Sequence, residues 1–317
     1  MLKLLTITLN TSVDIAYQLD HFELNQTNRV KNVIKTAGGK GLNVTRVANI
    51  LGIDHLATGI IGGTTGEFIK RDLDQDHIKH DFYETNIESR QCIAILNGAH
   101  QTELLEQGDS ITQEDIQLLI KHVTELIQGH DMIAISGSAL PGMNVEAYQT
   151  LIDIAVSHGK KVLLDVNGHT LKDLLNHEGQ SLPYLIKPNI EELAQLFNVK
   201  DQDNHQEIIN ALKSPLLSQI PCVMISLGSN GALYKYQHQI YKVNIPKIKA
   251  VNAVGSGDSS IAGFSYGLIH KQDVHYAVKS AMAAGIANAL EQQTGFLTKE
   301  NFEYYLAKIK IEQLECF

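Results

Sequence analysis

Val254-Gly255-Ser256-Gly257-Asp258-Ser259-Ser260-Ile261-Ala262-Gly263 is the stretch on which the reading of the whole chain turns. Ile261, Ala262, Phe264 and Leu268 recur at helical spacing, so a glycine-rich turn feeds a helix with Asp258 in its first turn. Backbone N–H groups at a helix start have no intrahelical partner and stabilise an anion placed there. Glycines let the backbone approach that anion closely. The carboxylate has two readings: a cap of the helix, or a base that accepts a proton from a nucleophile attacking a bound phosphate.

Working outward, residues 3–9 alternate as a first strand and end in the polar run Asn10-Thr11-Ser12-Val13-Asp14. The short polar–apolar pattern of 15–35 predicts strands of a small separate sheet. An Asn97-Gly98 turn between β-rich runs predicts a hairpin joining it. The lid so formed spans about 11–35 and 84–105 within one domain, 1–317. Gly38-Gly39-Lys40-Gly41-Leu42-Asn43 precedes a helix that Gly52 stops. It is no nucleotide P-loop, because Gly41 stands where serine or threonine is needed. A backbone-lined pocket rimmed by Lys40 and Asn43 is the better expectation. Asp72, Asp74 and Asp76 imitate a calcium loop, but His77 and Tyr83 occupy its glycine and terminal-acid positions.

From residue 111 onward strands and helices alternate, which predicts a mostly parallel sheet covered on both faces. In such sheets ligands bind outside the carboxyl ends of the strands, and every polar or glycine-rich motif after Met132 falls at a strand's carboxyl end or a helix start. Two of these motifs matter most. Asn189 and Glu192 share one face of a helix's first turn and offer oxygen to a hydrated Mg²⁺, or simply cap the helix. Ser226, Gly228 and Gly231 mark a flexible turn able to admit a phosphate tail or a base.

A formal charge of -9 argues against nucleic acid or an anionic membrane as the main partner. Three scattered cysteines form neither a CxxC pair nor a disulfide framework, pointing to a reducing cytosol. No run is long and apolar enough to span a bilayer, so a cytoplasmic protein is expected. The 14 histidines make no HExxH or Cys/His cluster, and no structural metal is expected.

A helix-start anion site, a Mg²⁺ position and a base are what phosphoryl transfer requires. Arg29, Lys40 and Arg90 suit a second anion, fixed on the acceptor. On Gly38 to Val44, Lys187-Pro188-Asn189-Ile190-Glu191-Glu192-Leu193, Ser226 to Ala232 and Val254 to Ser259, in that order, the sequence resembles the ribokinase/PfkB superfamily of sugar kinases. Among its branches it is most similar to the tagatose-6-phosphate kinases, then to the 1-phosphofructokinases. The segments behind this include Cys92 to Leu96 and Thr102 to Gly108.

The resemblance implies an α/β fold: a three-layer αβα ribokinase-like domain with a mostly parallel central sheet and a small β-sheet lid, dimerising lid to lid. It implies ATP with Mg²⁺ and a ketohexose phosphate phosphorylated on a hydroxymethyl oxygen. By the same match Asp258 is the base beside the Gly255, Ser256 and Gly257 anion hole. Asp14, Gly38, Gly39 and Asn43 hold the sugar, while Arg90, Lys40, Arg29 and Ser138 meet its phosphate. Lys187, Asn189, Ser226, Gly228, Gly231 and Gly285 line the nucleotide site, and Asn189 and Glu192 hold the metal through water.

Two departures stand out. Thr11 replaces a usual proline, which is expected to loosen the turn beside Asp14, and the Gly137-Ser138-Ala139-Leu140-Pro141 turn carries its proline one place late. A 1-phosphofructokinase acting on fructose 1-phosphate, a 6-phosphofructokinase and, more distantly, a non-catalytic sugar-phosphate-binding regulator are the competing readings. A dinucleotide-binding oxidoreductase is excluded because Ser260 fills the last glycine position of the near-match to GxGxxG that starts at Gly255.

Overall fold

Leu4-Leu5-Thr6-Ile7-Thr8 is buried along its whole length, as a strand covered on both faces must be. The computed structural model describes residues 2–97, 100–176, 181–197, 199 and 204–317. In chain order the elements begin with β1 (Leu4–Thr8), β2 (Ser12–Leu19), β3 (Asn32–Gly38), α1 (Lys40–Leu51), β4 (His55–Gly62) and α2 (Gly63–Gln75). There follow β5 (Tyr83–Thr85), β6 (Arg90–Asn97), β7 (His100–Leu105), α3 (Gln113–Gln128), β8 (Met132–Ser136), α4 (Val145–Ser157) and β9 (Lys161–Asp165). Next come α5 (Gly168–Leu175), β10 (Leu185–Ile186), α6 (Ile190–Phe197), α7 (His205–Leu212), α8 (Pro215–Ser218) and β11 (Cys222–Ser226). After a 3₁₀ turn at Gly228–Asn230 the chain closes with β12 (Ala232–Tyr236), β13 (Gln239–Asn244), α9 (Ser256–Lys271), α10 (Val274–Ala289), α11 (Lys299–Leu306) and β14 (Lys310–Cys316).

Among the described residues ten strands form one sheet in the order β14-β13-β12-β11-β10-β9-β8-β1-β4-β5. It is parallel from β11 to β5, and antiparallel from β11 out to β14. Alternation along β1 separates two cores, since successive side chains point to opposite faces. Leu5 and Ile7 pack with Leu119 of α3, Leu151 of α4 and Leu193 of α6. Leu4 packs with Val47 of α1, Phe264 of α9, Ala281 of α10 and Phe302 of α11. The result is the three-layer αβα body expected from the sequence. All the parallel strands end at one edge, so the loops that follow them meet there.

The second sheet runs β3-β2-β6-β7 and stands over that edge. Val13, Ile15 and Ala37 rest its inner face on Ile69 and Leu73 of α2. Val33, Ile34, Leu104 and Leu105 are exposed on it. The expected lid segment 84–105 is shortened at its start: residues 83–85 pair in parallel with β4 of the main sheet. Glu88 explains this, because its carboxylate accepts from the Thr64 and Thr65 backbone N–H groups at the start of α2. That ties the segment to the body until Arg90, where β6 begins. Gly98 lies outside the described residues, but Asn97 stands opposite His100 in the predicted hairpin. No helix among the described residues is long and apolar enough to cross a membrane.

Candidate active site

Gly255 is the N-cap of α9, in the left-handed region at φ 79°. The turn it creates ties Ser256 N to Ala253 O at 3.2 Å, leaves the Gly257 and Asp258 amides without a backbone acceptor among the described residues, and places Asp258 one turn along, with only 6% of its surface exposed. Asn43 Nδ2 donates to Asp258 Oδ2 at 2.9 Å. No protein donor reaches Oδ1 among the described residues, which leaves that oxygen for another partner. Burial, then the nearby Asp165 carboxylate, push the Asp258 pKa up to about 6, against the opposing pull of Lys40, Asn43 and Lys187.

Two cations flank the turn. Lys187, leaving the end of β10, lies 3.5 Å from Asp165 at the end of β9, and both are almost wholly buried. Its ammonium reaches the glycine turn: a Cβ on Gly257 would stand 3.2 Å from Lys187 Nζ. Lys40 opens α1 at the mouth of the site, and Asp165, then Asp258 and Glu192, raise its pKa against the opposing effect of burial. Its electrostatic neighbours are thus the acidic groups around the glycine turn, beside the sugar-phosphate contact that the resemblance implies for it. Asp165 was missed by the sequence reading. The available signal was a carboxylate at the carboxyl end of an apolar strand, Lys161–Asp165.

Asp14 stands near the start of lid strand β2 and forms the second lobe of the site. Its carboxylate lies directly on Gly38, where a Cβ would come within 2.1 Å of Asp14 Cγ. Ser12 Oγ donates to Asp14 Oδ1 at 2.7 Å. Burial raises the Asp14 pKa, opposed by Ser12, by Arg46 and Arg90, and by the Gly39 amide. Arg90 Nη1 donates to Glu106 O at 2.9 Å, and its Nε is buried without a protein partner. Ser138 is exposed next to Gly137, which packs on the Lys40 stem. Arg29 sits in the exposed loop between β2 and β3 and is not drawn into the cluster. Thr11 anchors its turn rather than loosening it, since Thr11 Oγ1 donates to Ile60 O at 2.6 Å.

Three nucleotide-side assignments change in detail. Asn189 and Glu192 form a reciprocal capping box: Asn189 N donates to Glu192 Oε2 at 2.9 Å, and Glu192 N to Asn189 Oδ1 at 2.8 Å. Two of the oxygens expected to serve a metal are thus engaged by the backbone. Ser226 bridges to Asn189, and Gly228 at φ 55° faces open space. Gly231 instead has a packing role, with Val243 O 2.1 Å from where its Cβ would be. Gly285 is also a packing residue, letting α10 press on Ser256 and Ser260 in the first turn of α9.

Asn288 is a further residue that sequence reasoning passed over. Fully buried on α10, it donates to Val254 O at 2.9 Å and accepts from Gly295 N at 2.9 Å and from Ser259 Oγ at 3.1 Å. It holds both sides of the glycine turn. An asparagine deep in an alanine-rich helix was the signal, because a buried carboxamide is retained only where its hydrogen bonds are met.

The arrangement is an anion cradle with a buried carboxylate, two cations and a carboxylate-lined second lobe, which suits phosphoryl transfer to a hydroxyl. Comparison with known proteins agrees. A model of the pfkB family of carbohydrate kinases matches residues 7–301. Tagatose-6-phosphate kinase of Staphylococcus epidermidis is 42% identical, over 97% of this chain and 99% of the relative. The structure of phosphofructokinase-2 from Escherichia coli in complex with potassium superposes with a TM-score of 0.88 at 26% identity, covering 97% of this chain and 99% of that one. The same enzyme in complex with fructose-6-phosphate gives 0.84 at 25% identity, over 97% and 99% of the two chains. The chain belongs to the pfkB family of carbohydrate kinases, and it is an ATP-dependent phosphotransferase acting on a sugar.

Proposed function

We propose that the enzyme transfers the γ-phosphoryl group of ATP to a hydroxymethyl oxygen of a ketohexose phosphate, converting D-tagatose 6-phosphate into D-tagatose 1,6-bisphosphate. The observation that carries the transfer is Asp258, buried at the glycine turn with Oδ2 held by Asn43 and Oδ1 free of protein donors among the described residues. Asp258 Oδ1 takes the proton of the attacking hydroxyl while the amides of Gly255 and Gly257, Lys187 and Lys40 face the charge developing on the phosphoryl oxygens; the Ser256 amide, expected to join them, is bonded to Ala253 O. Asp14, Gly38, Gly39 and Asn43 hold the sugar. Arg90, with Ser138, meets its phosphate, and Arg29 stays outside the site on the exposed β2–β3 loop. Ser226 and Gly228 face the nucleotide. The 42% identity to the S. epidermidis enzyme supports tagatose 6-phosphate as acceptor.

Mg²⁺ fits this site as a hydrated ion. The donor set is hard oxygen, as Mg²⁺ prefers. The capping box engages Asn189 Oδ1 and Glu192 Oε2, so the ion would be held there through its waters. When bound it neutralises charge on the donor's phosphates. The exposed Val33, Ile34, Leu104 and Leu105 of the lid support pairing of two copies through that sheet. A cytoplasmic location is consistent with the free cysteines Cys92, Cys222 and Cys316.

A second reading, a phosphofructokinase, is favoured by the fold likeness to the fructose-6-phosphate complex. A coupled ADP-release assay over tagatose 6-phosphate, fructose 1-phosphate, fructose 6-phosphate and unphosphorylated hexoses separates the two. The highest kcat/KM is expected with tagatose 6-phosphate; a tenfold preference for either fructose phosphate would overturn that acceptor. Arg90→Ala is expected to raise KM for the sugar phosphate by about tenfold or more, the loss of a charge-assisted contact, with KM for ATP changed by less than about twofold. Equal changes for both substrates would remove Arg90 from the sugar-phosphate subsite.

A further inference from the structure

Arg46 lies two turns into the apolar face of α1, 4% exposed, and nothing in the proposed chemistry uses it. A buried guanidinium is expensive to keep. Arg46 is also poorly compensated: its nearest carboxylate oxygen is Asp76 Oδ2 at 4.0 Å, and its Nε has no hydrogen-bond partner. Its two terminal nitrogens are placed with purpose. Nη2 donates to Ala37 O in lid strand β3, and Asp72 Oδ2 accepts from the Ala37 N–H at 2.7 Å on the other side of that residue. Nη1 donates to Asn43 Oδ1 at 3.1 Å, and Asn43 Nδ2 in turn donates to Asp258 Oδ2.

Guanidinium offers only donors and an ionised carboxylate only acceptors. An amide between them has one orientation that satisfies both: oxygen toward Arg46, nitrogen toward Asp258. Packing leaves it little room to escape, because Gly295 lies against the Asn43 side chain so closely that a Cβ there would sit 2.8 Å from Asn43 Oδ1. If the amide were reversed, its oxygen would face Asp258 and favour the protonated acid, which then donates instead of accepting.

We propose that Arg46 is a positioning residue for proton transfer: its guanidinium fixes the Asn43 amide so that an N–H faces Asp258, keeping that carboxylate a proton acceptor through its free Oδ1. This rests on Asp258 being the base. The same guanidinium grips the lid strand through Ala37, so the orientation of the base is tied to the seating of the lid. The charged groups around the relay are Lys40 from α1, Asp165 after β9 and Lys187 after β10 on the Asp258 side. On the Arg46 side they are Asp14 from β2, with Asp72 and Asp76 from the end of α2.

The test is the kcat–pH profile of Arg46→Met, which has no donor, beside Arg46→Lys, which keeps one. In the wild type, activity falls on the acid side near about 6, where Asp258 takes up a proton. Arg46→Met is expected to move that limb about one pH unit higher, so that kcat falls roughly tenfold more at the limb than at alkaline pH. Arg46→Lys restores most of the wild-type profile. In an Asn43→Leu background Arg46→Met produces no further shift, because the amide is the only link. A kcat loss uniform across pH, or an added shift without Asn43, overturns the proposal.

Should Arg46→Met fail to fold by circular dichroism, ¹⁵N NMR of the wild-type Asn43 side-chain amide decides. Its N–H signals are expected to titrate with the Asp258 midpoint, and signals that do not move between pH 5 and pH 8 overturn the relay. Failure of the base assignment itself is read separately, from an Asp258→Asn enzyme that keeps its kcat.

Discussion

Asp258→Asn is expected to lower kcat by about 100-fold or more while KM for ATP and for the sugar phosphate stays within about threefold. The substitution keeps shape, and its carboxamide oxygen still accepts from Asn43 Nδ2, so the bound geometry survives while proton acceptance is lost. The same burial that makes Asp258 a usable base sets a pH signature. Its pKa, raised to about 6 first by desolvation and then by Asp165, means that kcat falls as pH drops through about 6.

Stability runs the other way. A carboxyl whose folded pKa lies above its unfolded one binds more protons when folded. The stability this confers is present below the ordinary carboxylate value and is lost as pH rises through about 6. At pH 7.5 the ionised Asp258 therefore burdens the fold by an amount on the order of 1–3 kcal/mol. Asp258→Asn should then melt above the wild type at pH 7.5, with the gap shrinking toward pH 4. Steady-state kinetics and thermal melts across that range check both halves. A kcat equal to wild type would remove Asp258 as the base, and a melting gap that grows on acidification would contradict the burial argument.

Gly255→Ala is expected to be as damaging to catalysis and far worse for the fold. Gly255 sits at φ 79°, where an L side chain costs about 1 kcal/mol or more. A Cβ there would also lie 2.7 Å from Thr294 Cγ2 and 2.9 Å from the Gly295 nitrogen. Backbone on one side and strain on the other leave no cheap relaxation. Either the turn changes conformation or the 294–295 loop retreats and breaks its bond to Asn288. Both move the amides of Ser256 and Gly257 and rotate the start of α9, which carries Asp258. A stability loss of about 2–4 kcal/mol and a kcat loss of at least about 100-fold follow.

Gly257→Ala is the control for this result. The Cβ it adds meets only the flexible Lys187 Nζ, at 3.2 Å. Its melting temperature should stay near wild type while KM for ATP rises. Equal melting temperatures for the two alanine variants would refute the conformational argument for Gly255.

Much of the molecule was legible because its signals are local. The alternation of apolar runs with helical periodicity specified the layered body, and Gly52 stops α1 in the left-handed cap that a glycine after a periodic segment announces. The glycine turn and its acid were readable as a helix start for the same reason. Resemblance in motif order then supplied the roles proposed for Asp14, Lys187 and Gly228, which no local rule gives.

The errors fall where a residue's partner is distant in sequence. Lid residues 84 and 85 were misplaced because Glu88 ties their segment to the start of α2. Thr11 was expected to loosen a turn that its hydroxyl in fact anchors to Ile60, 49 residues away. The packing that Gly285 and Gly231 permit, against α9 and against Val243, was likewise not legible in sequence.

The sequence by itself determined the architecture, the order of the motifs and the placing of an acid at a glycine-rich helix start, since each is written in neighbouring residues through periodicity, capping and backbone freedom. Only the tertiary structure decided what surrounds that acid. Asn43 and Asp258 are 215 residues apart, and Asp165 and Lys187 come from the ends of two different strands. The field and hydrogen bonds that make a carboxylate a proton acceptor depend on distances of a few ångströms between such groups, and those distances exist only once the parallel strands bring their ends to one edge.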